Sequence, residues 1–305
     1  MEKVSLFKPS FYDVPNQESK FQLTLGKVSV FNQKIPVPFE DELFGTVCPN
    51  LDVTASVKLH SRQRGIHMSR IEQAFQNLPQ NLSIAEVAHL IATRIKNTQE
   101  QDEAAIQLSG DLIYQRNTAV SNLPSHNIVT VSSGACVGTA NEKVSLGLGA
   151  TIITACPCMQ TYALEELITK LNINTDNPES LITEVPIATH SQKGRVEVII
   201  EGHITDVKYV SLSRIYESLN NSAHLTSELL KRPDEYDMVR RAHTHPQFVE
   251  DVVRETIVNV ARELENVDPE LNITVRAESY ESIHGHDIRA EANFTLGDLL
   301  DLAKQ

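Results

Sequence analysis

The chain has 305 residues, of which 41% are hydrophobic, with 27 Lys and Arg set against 40 Asp and Glu for a formal charge of −13. That balance excludes general binding to nucleic acid or to an anionic membrane surface, both of which need a basic footprint, while the apolar share suffices for a buried core without staples. Apolar runs such as Val198 to Ile200 and Gly147 to Ala155 fall far short of the roughly 20 residues that span a bilayer, and the opening "MEKVSLFKPSFYDVP" lacks a signal-peptide segment, so the expected location is the cytoplasm.

In chain order, the first firm element is "LDVTASVKL", Leu51 to Leu59, where Leu51, Val53, Ala55, Val57 and Leu59 alternate with polar residues as in a strand with one wet face. In "NLSIAEVAHLIATRIKN", Ile84, Val87, Leu90, Ile91 and Ile95 form one helical stripe. Ser83 with Glu86 three residues on is a capping box, so that helix starts at Ser83. "NIVTVSSGACV" and "EKVSLGLGATIITAC" read as strands separated by the turn-prone "GTANE", which puts Cys156 just past a strand end. The helix-forming "TYALEELITKLN" and the polar loop "INTDNPES" follow. They mark 161–185 as a helical insertion between an N-terminal module, 1–160 with an extension over about 1–25, and a C-terminal module, 186–305. The second module repeats the order of elements: a strand at "GRVEVIIEGHI", the helix of "HPQFVEDVVRETIVNVARELEN", and strands at "NITVRAESY" and "IRAEANFTL". In that helix Val249, Val252, Val253, Thr256, Val260 and Leu264 keep one face apolar. Strand and helix blocks segregated in this way favour an α+β fold with largely antiparallel sheets over a doubly wound parallel sheet.

The chemistry concentrates in a few stretches. "ACPC" places Cys156 and Cys158 one proline apart, too close for a C-x-x-C zinc knuckle and without a second pair to complete a Cys₄ site. Both thiols are either packed as small hydrophobes, or Cys156 is a single soft ligand. His190 in "ATHSQKGR" directly precedes a strand, and His284 and His286 in "ESIHGHD" share a face if that segment is extended. Each is an ordinary surface histidine or one donor of an open, mixed-ligand metal site. "LLKRPDEYD" crowds Lys231, Arg232, Asp234 and Glu235 around Pro233, the mark of a loop or helix start. "RQRGIHMSR" gathers Arg62, Arg64, His67 and Arg70 after a strand, either a surface loop or a phosphate-binding one. Glu250, in the first turns of the long helix, is favoured there by the helix dipole alone. Its carboxylate also matches the paired N–H groups of a guanine-like ring.

Taken in order, "RGIHMSR", "ACPC", "HSQKG", "KRPDE", "PQFVEDVVR" and "ESIHGHD" resemble the type IB GTP cyclohydrolases of bacteria and their archaeal relatives of the methanopterin pathway, over roughly Gly45 to Asp301. The resemblance implies the tunnelling fold: two tandem modules of antiparallel sheet plus helices, assembled into a homodimer or homotetramer whose sheets form barrels with interfacial active sites. It implies that Cys156, Glu235 and His284 or its neighbour His286 ligate one divalent ion per subunit, Fe(II) before Mn(II) or Zn(II). His190 is then a ligand or near ligand able to shuttle protons. Glu250 anchors the purine, and Arg64, His67, Arg70, Lys231 and Arg232 are candidates for the triphosphate of GTP. The implied reaction is hydrolysis at C8, loss of formate and formation of a dihydropterin.

In the bacterial pattern, Cys-Pro-Cys is followed by a Ser-Lys pair and a short connection to the histidine. Here Met159, Gln160 and a long insertion up to His190 follow instead. The archaeal branch is closer, which implies 7,8-dihydroneopterin 2',3'-cyclic phosphate as product, with the triphosphate as the bacterial alternative. A nitrile reductase with Cys156 as covalent nucleophile and a non-catalytic purine binder are the competing classes.

Overall fold

The computed structural model describes residues 13–138, 142–178, 180–181, 186–187, 189–227 and 231–302. The residue 185 boundary of the expected insertion, and the first twelve residues of the expected N-terminal extension, lie outside that set. The protein is α+β with a large antiparallel sheet, and no described helix is long and apolar enough to cross a membrane.

Ten strands and eight helices occur among the described residues. The strands are β1 (Leu25–Pro36), β2 (Phe39–Asp41), β3 (Gly45–Val47), β4 (Asn50–Leu59), β5 (Ala104–Asn117), β6 (Pro124–Val137), β7 (Lys143–Ala155), β8 (Ser191–Gly202), β9 (Asn272–Ser279) and β10 (Ile288–Thr295). The helices are α1 (Met68–Ala74), α2 (Ile84–Gln99), α3 (Pro157–Leu171), α4 (Ile204–Val207), α5 (Leu212–Asn220), α6 (Arg232–Thr244), α7 (Val249–Glu263) and α8 (Leu296–Leu302). Strand order is β1-β4-β5-β6-β7-β8-β9-β10, with β2 and β3 paired apart.

Two compact units emerge, and they are discontinuous in sequence: Met1–Glu40, Thr46–Ser109 and Ser133–Val144 form the first, and Asp41–Gly45, Gly110–Ser132 and Ser145–Gln305 the second. The boundary between these units runs through the long strands β5, β6 and β7.

In the first unit β4 runs antiparallel to β1 and to β5. The alternation in β4 buries Leu51, Val53, Ala55, Val57 and Leu59, which form its core side. The capping box at Ser83 is closed: its Oγ accepts from Glu86 N at 3.3 Å and the Glu86 carboxylate accepts from Ser83 N at 2.9 Å. From there α2 buries Ile84, Val87, Ile91 and Ile95, while Leu90 is half-buried. Gly138 has φ +86°, and a Cβ there would collide with the Asp102 carbonyl oxygen, so both conformation and space demand glycine.

The second unit is built on the antiparallel ladder β8-β9-β10. Strict alternation buries Ile273, Val275, Ala277 and Ser279 of β9 beneath α7. The apolar stripe of α7, read as Val249, Val252, Val253, Thr256, Val260 and Leu264, is buried at every position. Phe248 N donates to the Asp251 carboxylate at 3.2 Å, which satisfies one free donor at the N-terminus of α7 and fixes where Glu250 emerges.

Candidate functional site

Four strand ends and two helix starts meet within the second unit. β7 ends at Ala155, and Cys156 is the N-cap of α3, with Pro157 in the first helical turn where its missing N–H leaves no bond unmade. Cys156 N donates to His190 O at 3.2 Å, which ties the end of β7 to the residue preceding β8. Thr189 Oγ1 donates to Cys156 O at 3.3 Å. Below them His243 is buried on α6. Its Nδ1 lies 2.8 Å from Val239 O, and its own carbonyl accepts from Gln160 of α3. His243 Nε2 lies 3.4 Å from Thr189 O, so α6 contacts both α3 and the residue before His190.

Cys156 and His190 line a cavity of about 170 Å³, together with Glu250 at the start of α7 and His284 and His286 from the connection between β9 and β10. The rings of His190 and His284 meet edge to face at 6.1 Å, and those of His284 and His286 stack at 5.3 Å. The connection is not a strand, yet the i, i+2 histidines do turn to the same side.

The tautomer of His190 follows from its neighbours. Gln192 Nε2 donates to Glu281 Oε1 at 3.3 Å, so Gln192 Oε1 faces His190 Nδ1 at 3.0 Å and takes its proton. The Nε2 lone pair of His190 is left for a ligand, an arrangement typical of metal-binding imidazoles. Glu281 is held in turn by Ser279 Oγ at 3.0 Å. Among the described residues no three His, Cys, Asp or Glu side chains stand close enough together to hold an ion. The donors line one cavity, and as a chemical set of thiol, imidazole and carboxylate they fit a borderline divalent metal.

Two wall atoms lack partners. Gln247 is 3% exposed; its Nε2 donates to Ser222 O and to Glu255 Oε2, both at 2.8 Å, which fixes the amide and leaves Oε1 without a donor. Thr154, 2% exposed at the end of β7, has an unpartnered Oγ1. Both residues line the cavity. Orphaned buried polar atoms are uncommon in folded proteins, and an ordered water or a ligand completes their bonding.

Other expected residues lie elsewhere. Glu235 is exposed on the first turn of α6, beside Lys231 and Arg232, and none of the three lines the cavity. Its neighbour Asp234 is the buried member of that motif. Its Oδ1 accepts from Val120 N at 3.0 Å and Ser121 N at 2.9 Å, and the Ser121 hydroxyl with these amides holds its carboxyl below the usual range. Arg64, His67 and Arg70 belong to the first unit and have local partners there. Arg64 donates to Gln17 Oε1 at 3.1 Å, His67 Nε2 lies 3.5 Å from Asp13 Oδ1, and Arg70 donates to Thr98 O at 2.9 Å. Thr154, Gln192, Gln247 and Glu281 escaped sequence reasoning. Gln247 lies inside "PQFVEDVVR", but nothing local says that its amide is buried with a spare acceptor.

Residues 11–290 match the family model described as type I GTP cyclohydrolase folE2. The GTP cyclohydrolase MptA of Methanococcus aeolicus is 32% identical over 308 residues, covering 95% of this chain and 98% of that protein. The MptA of Methanoculleus marisnigri is 32% identical over 268 residues, covering 82% and 84% respectively. Among solved structures, a uricase from Bacillus fastidious aligns with a TM-score of 0.47 at 7% identity, over 93% of this chain and 96% of that one. With a family match over most of its length and relatives above 30% identity along nearly all of it, the chain belongs to the type I GTP cyclohydrolase family.

Proposed function

We propose that this protein is a metal-dependent GTP cyclohydrolase that opens the guanine ring at C8, releases formate and closes a 7,8-dihydroneopterin 2',3'-cyclic phosphate. The observation that carries the proposal is the meeting of Cys156, His190, His284, His286 and Glu250 on one cavity whose wall also holds the unpartnered Gln247 Oε1 and Thr154 Oγ1. In this reading Cys156, His190 through Nε2, and His284 or His286 would hold one divalent ion, Fe(II) first and Mn(II) or Zn(II) next, once their side chains turn in from the separations they have here. When bound, that ion supplies the Lewis acidity that makes a water nucleophilic near neutral pH. Glu281 lines the same cavity and serves as carboxylate or as the support of His190 through Gln192; Glu235 takes the carboxylate role if α6 of another subunit brings it in.

The protein's own groups do the rest. Glu250 accepts the N1 and N2 protons of guanine, a charge-assisted pair that no adenine offers. Gln247 Oε1 and Thr154 Oγ1 complete hydrogen bonds to the seated base. His190 is a ligand at rest and, once substrate displaces it, its freed Nε2 moves protons between solvent and the ring nitrogens as the C–N bonds break. Lys231, Arg232, Arg64, His67 and Arg70 remain the candidates for the triphosphate.

The cavity is small beside ordinary nucleotide pockets of about 300–1,000 Å³, and β10 is exposed along most of its length, with Ile288 and Phe294 uncovered. Both points support a homodimer or homotetramer in which tunnelling-fold modules, 1–160 and 186–305, close into barrels and the partner completes each site. The test is to incubate metal-stripped protein anaerobically with GTP and Fe(II), Mn(II) or Zn(II), and to analyse formate and pterin by mass. Formate with a cyclic monophosphate is expected under Fe(II). Formate with a triphosphate product would replace the cyclic-phosphate assignment, and no formate with any metal from protein that binds GTP would overturn the proposal.

A further inference from the structure

A second cavity, of about 150 Å³, opens within the same unit against Tyr114 and Arg116 of β5, Asn127 of β6 and Tyr216 of α5, with Arg241 of α6 also in its wall. Its hydrogen bonding does not close. The hydroxyls of Tyr114 and Tyr216 are 2.9 Å apart, and Arg116 Nη1 lies 2.6 Å from the Tyr216 oxygen. A guanidinium only donates, so the Tyr216 oxygen accepts from Arg116. Tyr114 Oη donates to Tyr216 Oη, so the Tyr216 oxygen accepts twice and its own proton has no acceptor among the described residues. Tyr216 is only 3% exposed, so solvent does not take that proton freely. Burial, and then the bond to Tyr216, push the Tyr114 hydroxyl well above its ordinary range, which keeps it protonated.

Charge and acceptor are left over as well. Arg241 is paired with Asp237 at 3.0 Å, whereas Arg116 has no carboxylate partner among the described residues. Asn127 is 6% exposed, and its Oδ1 is unpartnered. The wall thus presents an uncompensated guanidinium, an unspent phenol proton and an unspent amide acceptor. An oxyanion that retains one proton satisfies all three: its oxygens accept from the phenol and the guanidinium, and its own hydroxyl donates to Asn127.

We propose that this cavity is a binding site for a phosphoryl oxyanion. Ala150 lines it, and Thr154, on the same face of β7 four residues on, lines the first cavity, a separation of about 13 Å. The phosphoryl group has two sources, free phosphate or the phosphate tail of a nucleotide.

The experiment titrates inorganic phosphate into the full-length, metal-stripped protein by calorimetry in chloride buffer. Wild type is expected to saturate, and Arg116→Gln and Tyr216→Phe are each expected to weaken binding about tenfold or more. Arg116 is exposed, so Arg116→Gln carries the test if Tyr216→Phe does not fold, with thermal midpoints as the check. No saturable phosphate binding in wild type, or unchanged affinity in folded Arg116→Gln, overturns the proposal. A parallel GTP titration separates the sources. Equal weakening for GTP and phosphate in Arg116→Gln supports the nucleotide tail, and weakening for phosphate alone supports the free anion. If GTP does not bind wild type at all, the cyclohydrolase reading fails while the phosphate result stands.

Discussion

Replacing Glu250 by Gln isolates the proposed purine anchor with little disturbance to the fold. The Glu250 side chain is exposed and makes no hydrogen bond or ion pair among the described residues, so the isosteric amide removes nothing from the folded chain except a favourable charge in the first turn of α7, about 0.3–1 kcal/mol. The substrate loses more. Two charge-assisted hydrogen bonds are each worth about 1.5–3 kcal/mol, and the amide keeps one neutral acceptor worth about 1 kcal/mol while presenting an N–H group to a donor. The net loss is about 3 kcal/mol, which corresponds to roughly a 150-fold fall in kcat/KM at 1.36 kcal/mol per decade. The assay is initial-rate pterin formation from GTP and from ITP, which lacks the 2-amino group, alongside urea denaturation. Wild type is expected to prefer GTP strongly, and the variant to narrow that preference at nearly unchanged stability. A Glu250→Gln enzyme that retains both wild-type kcat/KM and the wild-type GTP to ITP ratio would refute the anchoring role.

Other consequences are equally direct. Cys156→Ser is expected to abolish stoichiometric Fe(II) binding and formate release while circular dichroism stays unchanged, since the fold uses only the backbone bonds of Cys156; undiminished metal content by elemental analysis would remove Cys156 from the ligand set. Ser83→Ala opens the capping box of α2 and is expected to cost about 1 kcal/mol in urea denaturation, against no loss if that helix end were frayed. Burial holds the His224 imidazole below its ordinary range, so its contribution to stability is full above about pH 6.5 and is lost as pH falls towards the folded-state value. Urea midpoints between about pH 7.5 and 5 should therefore decline, less steeply in His224→Gln, and an unaltered slope in the variant would assign the decline elsewhere. For Asp234, depressed by the Ser121 hydroxyl and amide bonds, the contribution is present above about pH 3.9 and lost on further acidification, so Asp234→Asn is expected to lower the thermal midpoint at pH 7 more than at pH 3.

The elements that were legible before folding share one property: their signal is periodic and local. Period-two burial in β4, the stripes of α2 and α7 and the capping box at Ser83 each depend on residues within a few positions of one another, and each lies where the pattern indicates. Cys156 at a strand end was legible for the same reason, because a strand pattern running into Cys-Pro has to stop there. The compact units are not a local property, since each gathers segments that are distant in sequence and the boundary between them runs through the long strands β5, β6 and β7.

For the site, the amino-acid sequence by itself offered Glu235 and five further candidates, Cys156, His190, His284, His286 and Glu250, because reactive side chains in ordered motifs are a property of composition and spacing. Only the tertiary structure decided that these five share a cavity, that Gln192 and Glu281 set the tautomer of His190, and that Gln247 and Thr154 keep unspent hydrogen-bonding atoms in its wall. It also gave the "KRPDE" motif its buried carboxylate at Asp234 and left Glu235 exposed on α6. The physical reason is that an unsatisfied polar atom is defined by everything that fails to reach it. Such a deficit arises from burial by distant segments, and no stretch of sequence carries it alone.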